Sequence, residues 1–287
     1  MNVEILHGDC RETLKTLPEG SVNCCVTSPP YFGLRDYRHD GQIGLEESPD
    51  AFVQQMVGVF REVKRVLRDD GTLWLNIGDT YSATRWSKGG GQGINANADE
   101  HRSLQHQKNS GLPDKNLIGI PWKVAFGLQA DGWYLRQDII WHKPMTMPEP
   151  VTDRCVRAHE YVFLLSKRHS YHFDHEAIQE PVKQTTISAT GKEYSMANKR
   201  DVWSVSPKRY EGAHFATFPP DLIRPCILAG CPAGGTVLDP FGGSGTTGQV
   251  AMEEGRNAIL CELNADYVGL IRKRIGGVTP SLFGRAA

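Results

Sequence analysis

The sequence predicts an α/β fold, doubly wound around a mostly parallel sheet. Three observations predict it. Short β-prone runs alternate with segments of helical period, the pattern of crossover units. A late strand, Thr236-Val237-Leu238, runs directly into a glycine-rich turn and a helix-like segment. Glu262 ends the strand that follows, 23 residues beyond Asp239.

Val22 to Thr27 is a β-prone run that stops at Ser28-Pro29-Pro30, because consecutive prolines cannot continue a central strand. From Ala51 to Leu67 the residues Phe52, Met56, Val59, Phe60, Val63, Val66 and Leu67 recur at helical spacing, with one buried face. Asp70-Gly71 then turns the chain into a second buried strand, Thr72 to Ile77. Residues 82–116 contain Gly89-Gly90-Gly91 and few large apolar side chains, which predicts a mobile loop. Pro121 to Leu128 resumes a helix, and Gln137 to Trp141 and Tyr161 to Leu165 read as strands. Residues 167–213 are polar, basic and irregular, which suits an inserted lobe. Pro219 to Ala229 reads as a helix leading to the glycine turn. The expected organisation is one half of a large domain in 1–166, an insertion in 167–213, and the other half in 214–287.

Composition narrows the class. Hydrophobic residues make up 39% of the 287 and charged residues 23%, the balance of an ordinary globular chain. No apolar run approaches the ~20 residues needed to span a bilayer. Met1 to Asp9 lacks the basic flank and apolar core of a secretory signal, so a cytoplasmic protein without a membrane is expected. The seven cysteines follow no framework spacing and are expected to be reduced. A net charge of −1 does not announce a nucleic-acid partner. From Arg154 to Arg209, however, ten Lys/Arg stand against six Asp/Glu, a local balance of +4. Such a region is either a DNA-facing surface or a solvated face.

Asp239-Pro240-Phe241-Gly242-Gly243-Ser244-Gly245-Thr246-Thr247 joins a strand to a helix, the context in which bare backbone can meet a ligand at a helix N-terminus. An acid ending the next strand, as Glu262 does, hydrogen-bonds ribose hydroxyls in nucleoside-binding folds. The turn lacks the Gly-Lys-Ser/Thr of a phosphate loop, so a nucleoside cofactor without polyphosphate fits better.

Thr27-Ser28-Pro29-Pro30-Tyr31 is the second signal. The prolines pre-set a rigid turn whose carbonyls point into a cleft. Ser28 adds an acceptor and Tyr31 a flat aromatic face. An aromatic amine is a poor nucleophile, because its lone pair is delocalised into the ring. Two acceptors on its N–H bonds favour a pyramidal nitrogen and stabilise the developing positive charge, with no dedicated general base. Tyr31 would stack on a base rotated out of the duplex.

Together these segments resemble the amino-methyltransferase family of DNA methyltransferases, S-adenosylmethionine-dependent enzymes acting on adenine N6 or cytosine N4. Ser28-Pro29-Pro30-Tyr31 matches the family's catalytic motif, and Asp239-Pro240-Phe241-Gly242-Gly243-Ser244-Gly245 its cofactor motif. The catalytic motif comes first, which resembles the permuted β class. There the target-recognition segment lies between the motifs, and C-terminal strands close the sheet beside N-terminal ones. Gly8-Asp9-Cys10 resembles the segment beside the cofactor adenine, and His214 to Pro219, with Phe215 and Phe218, the cradle of its methionine end. Arg136 to Trp141 and His159-Glu160-Tyr161 resemble scaffold strands near the base pocket. The resemblance implies that Asp239, Phe241, Gly243, Ser244, Gly245, Thr246 and Glu262 hold S-adenosylmethionine, Asp239 at the amino end and Glu262 at the ribose.

The resemblance also implies double-stranded DNA as partner. The residues expected to meet it are Lys167, Arg168, Lys199, Arg200, Lys208 and Arg209 in the insertion, and Arg85, Trp86 and Lys88 in the 82–116 loop. A homodimer and a paired restriction endonuclease both occur in this class, and neither leaves a signature in the residues. Many adenine-specific members carry Asp or Asn where this chain has Ser28, and serine is commoner among cytosine-N4 enzymes. The reading places adenine N6 narrowly first and cytosine N4 as the alternative. A protein glutamine methyltransferase would carry Asn at position 28 and the unpermuted order. A DNA-binding protein with a dead methyltransferase fold would have no need of an intact Ser28, Tyr31 and Asp239.

No metal site is expected. His169, His172 and His175 are spaced three apart, which on a strand turns neighbours to opposite sides. Cys226 follows a proline, as the nucleophile of cytosine-C5 enzymes does, but sits inside a helical segment far from the base-stacking motif, as a buried structural cysteine would.

Overall fold

The computed structural model describes residues 1–34, 39, 41–82, 110–146, 148–187, 193–207 and 218–278. In chain order its elements are β1 (Val3–His7), α1 (Cys10–Thr13), β2 (Val22–Thr27), α2 (Pro49–Val66), β3 (Leu67–Ile77), α3 (Ile120–Ala130), β4 (Tyr134–His142) and β5 (His159–Ser166). There follow β6 (Glu180–Ile187), β7 (Glu193–Ala197), β8 (Val202–Ser204), α4 (Pro220–Gly230), β9 (Thr236–Asp239), α5 (Thr246–Glu253), β10 (Asn257–Glu262) and α6 (Ala265–Gly276).

Eight strands form one sheet in the order β1-β10-β9-β2-β3-β5-β4-β8. Pairing is parallel from β1 through β3, and β5 alone runs antiparallel to both its neighbours. The doubly wound, mostly parallel architecture is therefore the one the sequence predicts. So is its permuted closure: β10 pairs with β1, and β9 pairs with β2, across more than 200 residues of chain.

The period-2 alternation of the central strands feeds two cores, one on each face. Cys25 of β2 and Leu73, Leu75 and Ile77 of β3 face the layer of α2 and α3. Cys24, Val26 and Trp74 face the layer of α4 and α5. Helix α2 starts where Ser48 Oγ accepts the Ala51 N–H at 3.1 Å and Pro49 sets the first turn. Its face of Phe52, Met56, Phe60 and Val63 is fully buried. Each such side chain contributes roughly 1.5–3 kcal/mol by leaving water.

Two expectations are corrected. Asp70-Gly71 does not separate two elements: β3 begins at Leu67 and bulges over residues 68–71 between the pairs Val22–Leu67 and Cys24–Thr72. The bulge persists because its carbonyls find donors, with Lys167 N–H on Gly71 O and His172 N–H on Asp70 O. The described part of 167–213 also carries regular strands where its composition suggests irregular chain. β6 and β7 form an antiparallel pair, and β8 joins the main sheet beside β4. Trp203 of β8 is buried, with its indole 6.5 Å from that of Trp74. Of the expected mobile loop 82–116, residues 83–109 lie outside the described residues. Its ends are tied together by Ser82 N–H on Asn116 O at 2.7 Å and Lys115 N–H on Ser82 O at 2.9 Å.

Candidate active site

The carboxyl ends of β2, β9 and β10 open into one cleft, at the position where parallel sheets bind ligands. Its wall includes Ser28, Pro29, Pro30 and Tyr31 after β2, and Asp239, Phe241, Gly243, Ser244 and Thr246 after β9. Glu262, Asp9, Cys10 and Phe218 complete it. Two motifs more than 200 residues apart thus share a wall because β2 and β9 are neighbours in the sheet.

The turn after β9 is built for close approach. Gly245 has φ +82° as the residue before α5, and a Cβ there would lie 3.1 Å from Ile271. It shapes the turn from behind and does not line the cleft. Gly243 N–H donates to Glu262 Oε2 at 2.7 Å, and Asn264 N–H to Oε1 at 2.8 Å. These donors, with the Leu263 N–H also close, leave part of the roughly four acceptor positions of Glu262 open toward the cleft. Burial, with the charge of Asp239 nearby, pushes its carboxyl above its ordinary value, against the pull of the Asn264, Gly243 and Leu263 N–H donors. Ser244 is 3% exposed, and its hydroxyl has no hydrogen-bond partner. A buried orphan hydroxyl is costly, on the order of 1–3 kcal/mol, unless a ligand supplies the missing partner. An acid at the ribose position and an orphan hydroxyl beside a helix start fit a nucleoside cofactor with a polar tail, as S-adenosylmethionine has.

Asp239 is committed elsewhere. Its Oδ1 accepts the Thr27 hydroxyl at 2.6 Å and the Phe241 N–H at 3.0 Å, and its Oδ2 the Thr247 hydroxyl at 2.6 Å. Burial raises its carboxyl, opposed by these three donors. At most one acceptor position is left for a cofactor's amino group. Asp9 is likewise engaged, capping α1 through the Arg11 N–H at 2.8 Å and pairing with the Arg11 guanidinium.

Tyr31 is partly buried and held at both ends. Its hydroxyl donates to Glu160 Oε2 at 2.8 Å, and its ring lies so close to Gly78 that a Cβ there would stand 2.6 Å from Cε2. Glu160, in a segment that the resemblance puts near the base pocket, and Gly78, which the sequence reading passes over, both bear on Tyr31. The signal was available in part: Gly78 follows a buried strand directly, where glycine permits close approach.

The expected DNA contacts scatter. Lys167 and Arg168 follow β5, and because that strand is antiparallel they lie at the sheet end away from Ser28. Both pair with Asp69, and Lys167 Nζ also donates to Leu67 O at 2.7 Å. Lys199 and Arg200 precede β8 and pair with Glu180. Arg85, Trp86, Lys88, Lys208, Arg209 and the cofactor candidate Phe215 lie outside the described residues. Among the described residues no group of three or more His, Cys, Asp or Glu is arranged to hold a metal ion. Cys226 is fully buried inside α4, and burial pushes its thiol far up. No described helix is long and apolar enough to cross a membrane.

Fold and cleft define a permuted α/β enzyme of the methyl-transfer type. Residues 22–273 match the DNA methylase model of the N6/N4 kind, and the chain belongs to that family. Type II methyltransferase M.Cfr9I of Citrobacter freundii is 48% identical over 95% of this chain and 87% of its own length. Type II methyltransferase M.SmaI of Serratia marcescens is 47% identical over 95% of this chain and 90% of its own. The PvuII DNA methyltransferase, cytosine-N4-specific, superposes with a TM-score of 0.68 at 22% identity, covering 100% of this chain and 89% of that one. The complex of M1.HpyAVI with S-adenosylmethionine superposes with a TM-score of 0.58 at 19% identity, over 95% and 98% of the two chains.

These matches correct one expectation. Adenine N6 does not stand as the first choice of target: the solved structure that covers 100% of this chain is of an enzyme named as cytosine-N4-specific, the alternative stated above. The physical reason sits at position 28. Serine there agrees with the cytosine-N4 usage that the resemblance implies. Membership of a DNA methylase family also sets aside the protein glutamine alternative.

Proposed function

We propose that this protein methylates the exocyclic N4 amine of cytosine in double-stranded DNA, with S-adenosylmethionine bound in the cleft. The observation that carries the reading is the shared wall, on which the Ser28–Tyr31 turn meets the glycine turn and Glu262. When bound, S-adenosylmethionine supplies an electrophilic methyl group on a sulfonium.

Ser28 Oγ and the Pro29 carbonyl accept the two N–H bonds of the target amine. They localise its lone pair and stabilise the positive charge that builds on nitrogen, and the surplus proton then leaves to water. The Tyr31 ring offers the face on which the flipped cytosine stacks. Glu262 accepts from the ribose hydroxyls. Ser244 Oγ and the N–H groups at the start of α5 take the carboxylate of the methionine end. Phe218 and Cys10 exclude water from the cleft.

The proposed DNA surface rests on Lys199 and Arg200 and on the loops at the carboxyl edge of the sheet. Lys167 and Arg168, at the opposite end of the sheet from Ser28, are not part of it. Since the relatives at 47–48% identity are named type II methyltransferases, a paired endonuclease of the same specificity belongs to this reading. So does a cytoplasmic setting, in which the seven free cysteines stay reduced.

The test is to incubate the protein with DNA and methyl-labelled S-adenosylmethionine and digest the product to nucleosides. Label in N4-methylcytosine is expected. Label in N6-methyladenine, or none, overturns the reading.

A further inference from the structure

Tyr31 is joined to a polar network that spans three strands and that the transfer chemistry itself does not require. Glu160 lies on β5 opposite Trp141 of β4, with 17% of its side chain exposed. One carboxylate oxygen accepts the Tyr31 hydroxyl at 2.8 Å. The other accepts from Lys143 Nζ. Lys143 follows the end of β4, is itself 20% exposed, and sits 4.2 Å from the centre of the Trp141 ring. Asn76 of β3 offers the phenol a second, longer acceptor at 3.4 Å, while its own amide is anchored on Tyr161 O at 3.0 Å.

A largely buried carboxylate needs a cation and donors to offset its desolvation, and Lys143 with Tyr31 provides them. Few ring orientations satisfy this arrangement. The hydroxyl is fixed at Glu160, the ring presses on Gly78, and the motif's prolines fix the backbone. A phenylalanine would fill the same volume with no such anchor. We infer that Glu160, braced by Lys143, is a positioning residue that sets the Tyr31 ring for the incoming base. The inference rests on the base-stacking role proposed above. A stacking platform is effective only when its plane is set before the base arrives, and misplacement by about 1 Å can cost ~100-fold in rate.

The experiment is a double-mutant cycle of Tyr31→Phe and Glu160→Ala, with Glu160→Gln as the conservative variant. Each is read by single-turnover methyl transfer, by calorimetric affinity for S-adenosylmethionine, and by fluorescence of pyrrolocytosine at the target position. The expected result is a turnover about 10- to 100-fold lower for each single variant, with cofactor affinity within about two-fold of wild type. The double variant should be no slower than the worse single one, because both remove the same link. Glu160→Gln should recover most of the loss, since its amide oxygen still accepts the phenol proton. The pyrrolocytosine signal should be altered in Glu160→Ala and restored in Glu160→Gln, which a role in stability alone would not produce.

Effects that multiply in the double variant, or full turnover in Glu160→Ala, overturn the inference. If Glu160→Ala loses cofactor binding, Glu160→Leu, which keeps the volume and removes both acceptors, takes its place in the cycle with Tyr31→Phe and is read by the same rule. Full turnover in Tyr31→Ala would instead bring down the stacking reading itself. That outcome is distinct from an inactive Tyr31→Ala beside a silent Glu160→Ala, which overturns only the role of Glu160.

Discussion

The hydroxyl of Thr27 donates to the buried carboxylate of Asp239 at 2.6 Å, joining residues 212 positions apart in the chain. Thr27 is the last residue of the strand that carries Ser28, and Asp239 the last residue of the strand that carries the glycine turn. Thr247 on α5 donates to the same carboxylate. The two halves of the cleft are thus held in register by one acid and two threonines, none of which need touch the reacting atoms.

Replacing Thr27 by valine keeps the shape and removes one donor. The folded carboxyl of Asp239 already lies above its ordinary value of 3.8 because of burial. A group with a raised folded pKa favours the folded state most below its unfolded value, and loses that contribution as pH rises through the folded value. Removing a donor to the ionised form raises the folded value further. Thr27→Val should therefore cost about 1–3 kcal/mol at neutral pH, and the difference from wild type should shrink as pH falls toward ~4. Urea unfolding at several pH values measures this. A difference that is constant or grows in acid contradicts the assignment.

Gly78→Ala should leave the fold and cofactor affinity intact while slowing transfer. The added methyl would stand 2.6 Å from Tyr31 Cε2, so the ring must move and the stacking plane with it. A loss of ~100-fold in single-turnover rate is the scale for such a shift. Unchanged turnover would mean that the ring adjusts without consequence.

The glycine turn and Glu262 were legible in the sequence because their meaning is local: strand, bare turn, helix, and an acid at the next strand end. Ser28 to Tyr31 was legible for the same reason, since two prolines break a strand wherever they occur. Thr27 was silent. A threonine ending a strand is ordinary, and only the permuted neighbourhood of β2 and β9 aims it at Asp239. Lys143 was silent too, and Glu160 was legible only as part of a segment resembling a scaffold strand near the base pocket, because their link to Tyr31 depends on the antiparallel course of β5. The same course carries Lys167 and Arg168 to the far end of the sheet, which a count of charges along the chain could not reveal.

Ser244→Ala should behave oppositely in the free and loaded protein. In the free protein the hydroxyl is buried without a partner, so its removal should be neutral or stabilising by up to about 1–2 kcal/mol. Affinity for S-adenosylmethionine should fall by roughly 10-fold, the scale of one hydrogen bond to a charged group. Thermal melts with and without cofactor read both effects. An unchanged affinity would assign the serine to packing alone.

Ser28→Ala should lower turnover of the bound complex and spare cofactor binding. Losing one acceptor of charge in the transition state costs on the order of 2–4 kcal/mol by analogy with oxyanion donors. Calorimetry and single-turnover kinetics on the same preparation separate the two. A collapse of cofactor binding with the transfer step intact would move Ser28 from the base to the cofactor.

The fold dictates how sequence specificity must be tested. Exchanging all of 167–213 would remove β8, which pairs with β4, and with it the buried Trp203 that packs against Trp74. Such a chimera would fail for reasons of folding. The β6–β7 pair instead forms a sheet of its own, and Glu180 at its start pairs with Lys199 and Arg200 just beyond its end. A graft of residues 181–198 keeps that closure and leaves β8 in place. Replaced by the matching hairpin of a relative with different specificity, the enzyme should methylate the relative's sequence, as read by methylation-sensitive sequencing. Each exchanged base contact carries about 1–3 kcal/mol of discrimination, so even a partial graft should shift the preference measurably. Alanine at Lys199 or Arg200 should instead weaken all sequences alike and reduce the salt dependence of binding, as phosphate contacts do. A folded, active chimera that keeps the original preference would place recognition elsewhere, on the loops at the carboxyl edge of the sheet.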